Sequence, residues 1–183
     1  MDFAATRNGL YENIVAVPTT IWKGTGELDL EANAANAEFL FEGGVTAAVY
    51  AGGVGEHDRL SIEQHKALLG AVGAVARGSG ASVCLGSGLG RTAERVRQLA
   101  PALAEAGVSW AMLMPPAIDD QEEQFSYYSE VIGALREHGV WAVLYARPEH
   151  PMSVGLFQRL FDAFEIPGVK LAHNGMLLTY AEM

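Results

Sequence analysis

The chain has 183 residues, half of them hydrophobic and 19% charged, and a formal net charge of −10. This length and apolar content suffice for a domain with a full hydrophobic core, and they argue against disorder. The acidic balance argues against nucleic-acid or anionic-membrane binding, since both require clustered basic residues.

Cys84 is the only cysteine, which excludes an internal disulfide and a cysteine metal cluster. The first residues lack the layout of a signal peptide, and no apolar run approaches the roughly 20 residues that span a bilayer. No pair of histidines has a metal-like spacing. We therefore expect a cytoplasmic protein that acts on a small molecule and uses no metal or other cofactor.

In chain order, six short runs that are nearly continuous in apolar residues predict buried parallel strands. They begin at Asn13, Ala47, Ser82, Trp110, Trp141 and Val169. Helical patterns lie between them and begin near Leu30, Ser61, Thr92, Glu122 and Ser153. The second of these has Gln64 three residues after Ser61, the spacing of a capping box.

Strand and helix alternate with a period of about 30 residues, which predicts a parallel sheet with right-handed crossovers. Both a (β/α)8 barrel and an open doubly wound sheet have this rhythm. We expect a single domain over residues 1–183. Six strands cannot close a barrel of eight, so a barrel would be incomplete at its C-terminus.

Several motifs occur in an order that resembles the dihydrodipicolinate synthase and N-acetylneuraminate lyase family of class I aldolases. They are IVAVPTT (14–20) with the acidic turn and helix after it (26–45), GGVGEHDRLSIEQHKALL (52–69), GSGLGRTAE (86–94), LYARP (144–148) and PGVKLA (167–172). The resemblance covers nearly the whole chain. It implies an α/β fold of the TIM (β/α)8-barrel type, of which this chain holds about six βα units.

The same resemblance implies a chemistry. Lys170 would attack the ketone of a 2-keto acid, usually pyruvate, and form a Schiff base for cleavage or condensation of a carbon–carbon bond. Tyr145 would relay protons. Gly53 and Val54 occupy the positions of a threonine pair that binds the substrate carboxylate.

Three departures from the family pattern stand out. Without the threonine pair, backbone N–H groups from Gly52 to Gly55 would have to hold the carboxylate. Pro116 and Ala117 stand where synthases have a second relay tyrosine. His150 replaces an arginine that grips a second carboxylate, although Arg147 is close in sequence. These departures argue against the lysine-biosynthesis synthase itself.

The alternation of side chains along the strands supports a catalytic role for Lys170 independently of the family resemblance. If Lys170 points into the barrel, Val169 and Leu171 point outward. Trp141, Val143 and Tyr145 share one face of the neighbouring strand. An amine attacks a carbonyl only when it is neutral, and apolar surroundings favour the neutral form. We therefore expect apolar side chains around Lys170, although a lysine that reaches into solvent is the alternative.

Other features leave alternatives open. The glycines before Glu56 could form an anion-binding nest or a turn that needs positive φ angles, and Glu56 could brace that loop or be exposed. His57, His65 and His138 are expected to be solvated, whereas His150 and His173 lie near strand ends. The rival to a homo-oligomeric lyase is a catalytically inactive or fragmentary relative that acts as a non-enzymatic oligomerising protein.

Overall fold

The computed structural model describes residues 2–80 and 83–172. The strands are β1 (Ala47–Tyr50), β2 (Cys84–Leu89), β3 (Trp110–Leu113), β4 (Trp141–Ala146) and β5 (Gly168–Leu171). The helices are α1 (Phe3–Tyr11), α2 (Leu30–Glu42), α3 (Ile62–Gly78), α4 (Ala93–Glu105), α5 (Gln121–Arg136) and α6 (Val154–Ala163). Among these described residues, no helix is long and apolar enough to cross a membrane.

The strands form one parallel sheet in the order β1-β2-β3-β4-β5. Every neighbour in the sheet is also the next strand in sequence, as in a barrel, whereas a doubly wound sheet reverses its strand order. The sheet curls into a half barrel, which confirms the predicted fold class. The helix starts follow the predicted signals, including the capping box of Ser61 and Gln64.

The first predicted strand is reduced to a single parallel bridge between Ala16 and Ala48. The Ala16 N–H donates to the carbonyl of Ala47 over 3.0 Å, and the Val49 N–H donates to the carbonyl of Ala16 over 2.8 Å. Pro18 lies two residues further on and has no backbone N–H to extend this ladder. The six predicted strands are therefore five strands and one bridge.

The two faces of the sheet have different surroundings. The outer face packs against the helices in a large apolar core, which includes Leu85 and Leu144 from the strands and Leu68, Leu99 and Leu103 from the helices. The inner face carries a smaller cluster: Ala47, Val49, Cys84, Trp110, Met112, Met114, Trp141, Val143 and Tyr145. Successive residues alternate between these faces, as the strand period requires.

Helix α1 was not predicted, and it lies at the amino ends of the strands. The Phe3 ring packs edge-on against Trp141 at a centroid distance of 4.9 Å. Gly9 approaches Cys84 so closely that a Cβ on Gly9 would lie 2.7 Å from the Cys84 sulfur. The side chain of Asp2 caps the helix by accepting from the Ala5 N–H over 2.7 Å. Helix α1 therefore covers the lower end of the half barrel.

Candidate active site

Lys170 and Tyr145 lie side by side on the inner face, at the carboxyl ends of β5 and β4. The two residues are register partners in the parallel ladder. The ammonium nitrogen of Lys170 lies 4.4 Å from the centroid of the Tyr145 ring. Val169 and Leu171 pack against the outer core, so the alternation puts Lys170 on the inner side, as the sequence predicts. The structure thus brings the two predicted catalytic residues together.

The expectation of apolar shielding around Lys170 is wrong for the described residues, because Lys170 is exposed. The physical reason is its place in the sheet: β5 is the last strand of the order and has only β4 as a described neighbour. Tyr145, one strand further in, is only 9% exposed. The lysine therefore has an aromatic ring on one side and solvent on the other.

The loop after β1 holds the predicted carboxylate-binding residues. Gly52 and Gly55 are buried, whereas Gly53 and Val54 are exposed. The loop folds back on itself, since the N–H of Glu56 donates to the carbonyl of Gly53 over 3.2 Å. Within residues 2–80 and 83–172, the N–H groups of Gly53 and Val54 donate to no backbone carbonyl, which leaves them available to an anion.

Both readings of this loop have support in its geometry. Ala51 and Glu56 adopt positive φ angles of 49° and 54°, so the turn is strained at its ends, whereas none of the glycines between them has a positive φ angle. The absence of a side chain at Gly55 instead lets the backbone of the loop pack closely on itself. A Cβ on Gly55 would lie 2.9 Å from the backbone nitrogen of Ala51. The conformation therefore needs glycine at position 55 for steric reasons.

Glu56 braces the loop. Its carboxylate accepts from the indole N–H of Trp22 over 2.7 Å and from the Arg59 guanidinium over 3.0 Å. The hydrogen bond from Arg59 and then that from Trp22 hold the pKa of Glu56 below its ordinary value. The hydroxyl of Thr20 donates to the carbonyl of Gly55 over 2.5 Å. The first segment of the chain thereby fixes the loop.

Arg147 and His150 follow β4 and form a small turn joined by a single antiparallel bridge. The Arg147 guanidinium lies 5.7 Å from the Tyr145 ring centroid, on a side chain that also pairs with Glu149 over 3.1 Å. His150 is half-buried, and its Nδ1 has no hydrogen-bond partner among the described residues. Arg147 therefore reaches the tyrosine, while no contact is recorded between His150 and that ring.

The end of β3 offers no hydroxyl at the position of the second relay tyrosine. Pro116 is buried and Ala117 is exposed there, so Tyr145 is the phenol that the described residues place beside the lysine. His173, predicted near a strand end, lies outside the described residues. Within residues 2–80 and 83–172, no cluster of three or more histidine, cysteine, aspartate or glutamate residues could hold a metal ion.

Two histidines that were predicted to be solvated are buried. His65 is 0% exposed, and its Nε2 lies 2.9 Å from the hydroxyl of Ser87, which is itself 0% exposed on β2. The guanidinium of Arg95 lies 3.4 Å from the other ring nitrogen. Burial, and then the charge of Arg95, lowers the pKa of His65 to about 3. This pair joins α3 to the outer face of the sheet.

His57 is 3% exposed, and its Nδ1 lies 2.8 Å from a carboxylate oxygen of Asp58 without forming a hydrogen bond. Burial lowers the pKa of His57, Asp58 opposes the shift, and Arg95, Arg91 and Arg147 add to it. Three arginines therefore lie near His57, although the chain as a whole is acidic. His138 is exposed as predicted.

The fold and site define a half-barrel α/β protein with a lysine and a tyrosine on adjacent strand ends. The sequence model of the Dihydrodipicolinate synthetase family matches residues 10–181, and the chain belongs to this family. It is 27% identical over 158 residues to a "Probable 5-dehydro-4-deoxyglucarate dehydratase" of Bacillus subtilis (strain 168), covering 86% of this chain and 50% of that protein.

Two further comparisons agree. The chain is 32% identical over 122 residues to a "4-hydroxy-tetrahydrodipicolinate synthase" of Corynebacterium diphtheriae, covering 66% of this chain and 40% of that protein. The crystal structure of a dihydrodipicolinate synthase from Bacillus anthracis superposes with a TM-score of 0.78 at 26% identity, covering 93% of this chain and 58% of that one. The chain thus spans about half the length of the relatives it matches.

Proposed function

We propose that the chain carries the imine-forming half of a lyase that acts on pyruvate or another 2-keto acid. The observation that supports this most strongly is the ammonium nitrogen of Lys170 at 4.4 Å from the Tyr145 ring on the inner face. In (β/α)8 enzymes the reacting groups lie at the carboxyl ends of the strands, and both residues lie there. The Schiff-base chemistry implied by the resemblance uses this pair of residue types.

The proposed step is addition followed by loss of water. The neutral Lys170 nitrogen attacks the keto carbon, the carbonyl oxygen takes up a proton, and water leaves as the carbon–nitrogen double bond forms. Tyr145 would donate one proton to this oxygen when the amine adds and a second when the hydroxyl leaves as water, and it would recover each proton from the Lys170 nitrogen, because a phenol beside the amine can act as a general acid and base. The imine then accepts the electron pair released when the bond next to it breaks.

Groups at the carboxyl ends of β1 and β4 suit an anionic substrate. The N–H groups of Gly53 and Val54 donate to no backbone carbonyl among the described residues, and successive free N–H groups bind carboxylates. Arg147 adds positive charge beside Tyr145. We propose that Gly52 to Gly55 bind the carboxylate and that Arg147 and His150 contact the rest of the substrate.

Exposure of Lys170 sets a condition on this function. Water stabilises the ammonium form, so the amine needs a cover that excludes solvent before it is an efficient nucleophile. We propose that further βα units or another copy of the chain supply this cover beside β5, since an open strand edge favours association. The reducing cytoplasm suits such a protein, whose only cysteine, Cys84, is unpaired.

The experiment is reductive trapping. The protein is mixed with pyruvate and sodium borohydride, digested, and analysed by mass spectrometry. The chain has three lysines, and the other two, Lys23 and Lys66, serve as internal controls. We expect a stable adduct on the Lys170 peptide only. Lack of an adduct on Lys170, or equal labelling of all three, would contradict the function and favour a non-catalytic relative.

A further inference from the structure

Arg95 on α4 contacts the segment that follows the loop of residues 52–55, which is the proposed carboxylate-binding loop. Its Nη2 donates to the carbonyl of Leu60 over 2.9 Å and to the carbonyl of His57 over 3.4 Å. The N–H of His57 in turn donates to the carbonyl of Gly52 over 3.4 Å. One residue, His57, therefore joins the guanidinium to the first glycine of the loop.

Two features fix the place of the Arg95 side chain, which is half-buried. Gly90 leaves room for it, because a Cβ on Gly90 would lie 3.0 Å from the Arg95 Nε and closer still to its Cδ. On the other side, Nη2 lies 3.4 Å from Nδ1 of the buried His65. The guanidinium is thus held between α3, α4 and the loop segment.

The hydrogen bonds beyond His65 run in one direction. A guanidinium carries only donors, so Nδ1 of His65 accepts and Nε2 holds the ring proton. Nε2 lies 2.9 Å from the hydroxyl of Ser87, which donates to the carbonyl of Gly88 over 3.1 Å. A Cβ on Gly88 would lie 2.8 Å from the Cα of Gly52. The network that starts at Arg95 therefore ends at a backbone that touches the carboxylate-binding loop.

From this arrangement we propose that Arg95 is a positioning residue, whose guanidinium holds residues 52–55 in the conformation that binds the substrate carboxylate. This inference rests on the proposed function. Where a threonine hydroxyl can adjust by rotating its side chain, the N–H groups of Gly53 and Val54 are only as well placed as the backbone that carries them. A loop rich in glycine is conformationally permissive, and donors stabilise an anion best when they are held in place beforehand.

The test compares pyruvate with methyl pyruvate in the reductive labelling of Lys170. Sodium cyanoborohydride is used because it reduces an imine faster than a free ketone. Both compounds present the same ketone, but the ester has no carboxylate charge. The ratio of their half-maximal labelling concentrations therefore separates binding of the carboxylate from the reactivity of the amine.

Arg95→Met removes the donors and keeps most of the aliphatic stem. We expect the pyruvate concentration for half-maximal labelling to rise about fivefold or more, the effect of losing one net hydrogen bond. The value for methyl pyruvate and the maximal labelling rate should each change by less than about twofold, since Lys170 and Tyr145 are untouched. A general loss of structure would instead change both compounds together.

Arg97→Met is the matched control. It makes the same change two residues later on α4, where the side chain is exposed and pairs with Glu130, and it should keep the wild-type values. Melting curves check that the variants fold. If Arg95→Met does not fold, Arg95→Lys takes its place, because its amine ends one bond short of Nη2. The expected rise for pyruvate is then about threefold.

The outcomes separate the two proposals. An unchanged pyruvate value in the folded variant overturns the role of Arg95, and so does an equal rise for pyruvate and methyl pyruvate. A rise that disappears in about 1 M salt also overturns it, because the cause would then be long-range charge. Failure of both Arg95 variants to fold assigns Arg95 to the fold and overturns the proposal as well. In all four cases the wild type still labels and the proposed function stands, whereas no labelling of wild-type Lys170 overturns both.

Discussion

The two faces of the curled sheet differ in how completely they are packed. On the outer face, strand residues such as Leu85 and Leu144 are at most 1% exposed beneath the helices. On the inner face, valine, aromatic and methionine side chains border an apolar hollow of about 320 Å³, and Lys170 is exposed. The difference indicates that the outer layer supplies most of the stability, while the inner layer leaves room for chemistry.

The largest expected effect comes from truncating a side chain in each layer. Leu103→Ala on α4, at a site that is 0% exposed, should lower the free energy of unfolding by about 3 kcal/mol. Met112→Ala on the inner face should cost about 2 kcal/mol, because Met112 already borders a cavity and has fewer contacts to lose. Urea unfolding of both variants measures the difference, and an equal or larger loss for Met112→Ala would contradict the contrast between the layers.

A second comparison uses two glycines of α3. A Cβ on Gly73 would lie 2.1 Å from the carbonyl oxygen of Ala106, whereas nothing lies within 4 Å of a Cβ on Gly70. Gly73→Ala should therefore cost about 2 kcal/mol by separating α3 from α4. Gly70→Ala, the matched control, should stabilise by about 0.5–1 kcal/mol because alanine favours the helix. If thermal melts show that the melting temperature changes in the same direction in both variants, the close approach of Gly73 to Ala106 would be disproved.

The outer layer should also make the protein sensitive to acid. Buried His65 stays neutral in the folded state down to about pH 3, whereas an unfolded histidine takes up a proton near pH 6.5. Stability should therefore fall as the pH drops below 6.5, by about 1.3 kcal/mol between pH 7 and 5.5.

Denaturant unfolding at both pH values tests this linkage in two variants. His65→Gln should reduce the loss, and the remainder would come from His57, whose pKa is lowered as well. His138→Gln, at an exposed site, serves as the control and should keep the wild-type loss. If the His65→Gln variant loses as much unfolding free energy between pH 7 and 5.5 as the wild type does, the acid sensitivity does not come from His65.

The smallest effect on stability is expected at the site itself. Lys170→Met removes an exposed charge at the sheet edge and should change the free energy of unfolding by less than about 0.5 kcal/mol. The same variant should lose all reductive labelling at position 170. A loss of stability above 2 kcal/mol would mean that Lys170 serves the fold rather than a reaction.

The sequence predicts the architecture well, because short apolar strands that alternate with capped helices are compatible with few folds other than a parallel α/β sheet or barrel. Alternation of side chains also predicts that Lys170 and Tyr145 face the same side. The exposure of Lys170 is the alternative that the sequence left open, since the choice depends on what lies beside β5 and not on residues near Lys170 in sequence. The bridge at Ala16 had a signal in Pro18, whose missing N–H limits the ladder.

Two other features had signals that sequence reasoning missed. Asp2 is a capping residue type, and Phe3 and Leu10 lie about two helical turns apart on one face, which is compatible with a capped helix such as α1. His65 shares the i, i+3, i+4 spacing of a buried stripe with Leu68 and Leu69, which predicts burial despite its polarity. Its partner Ser87 is distant in sequence, so the hydrogen bond between them could only be found in the fold.

Deuterium exchange into pyruvate tests the central claim most directly, because an imine on Lys170 makes the methyl protons of pyruvate acidic and Tyr145 would return a deuteron to the enamine. In deuterated buffer, the proton NMR signal of the methyl group should disappear with the wild-type chain. It should disappear at least tenfold more slowly with Tyr145→Phe and at the buffer rate with Lys170→Met. Exchange that continues unchanged in Lys170→Met, or no exchange with the wild type, would contradict the account.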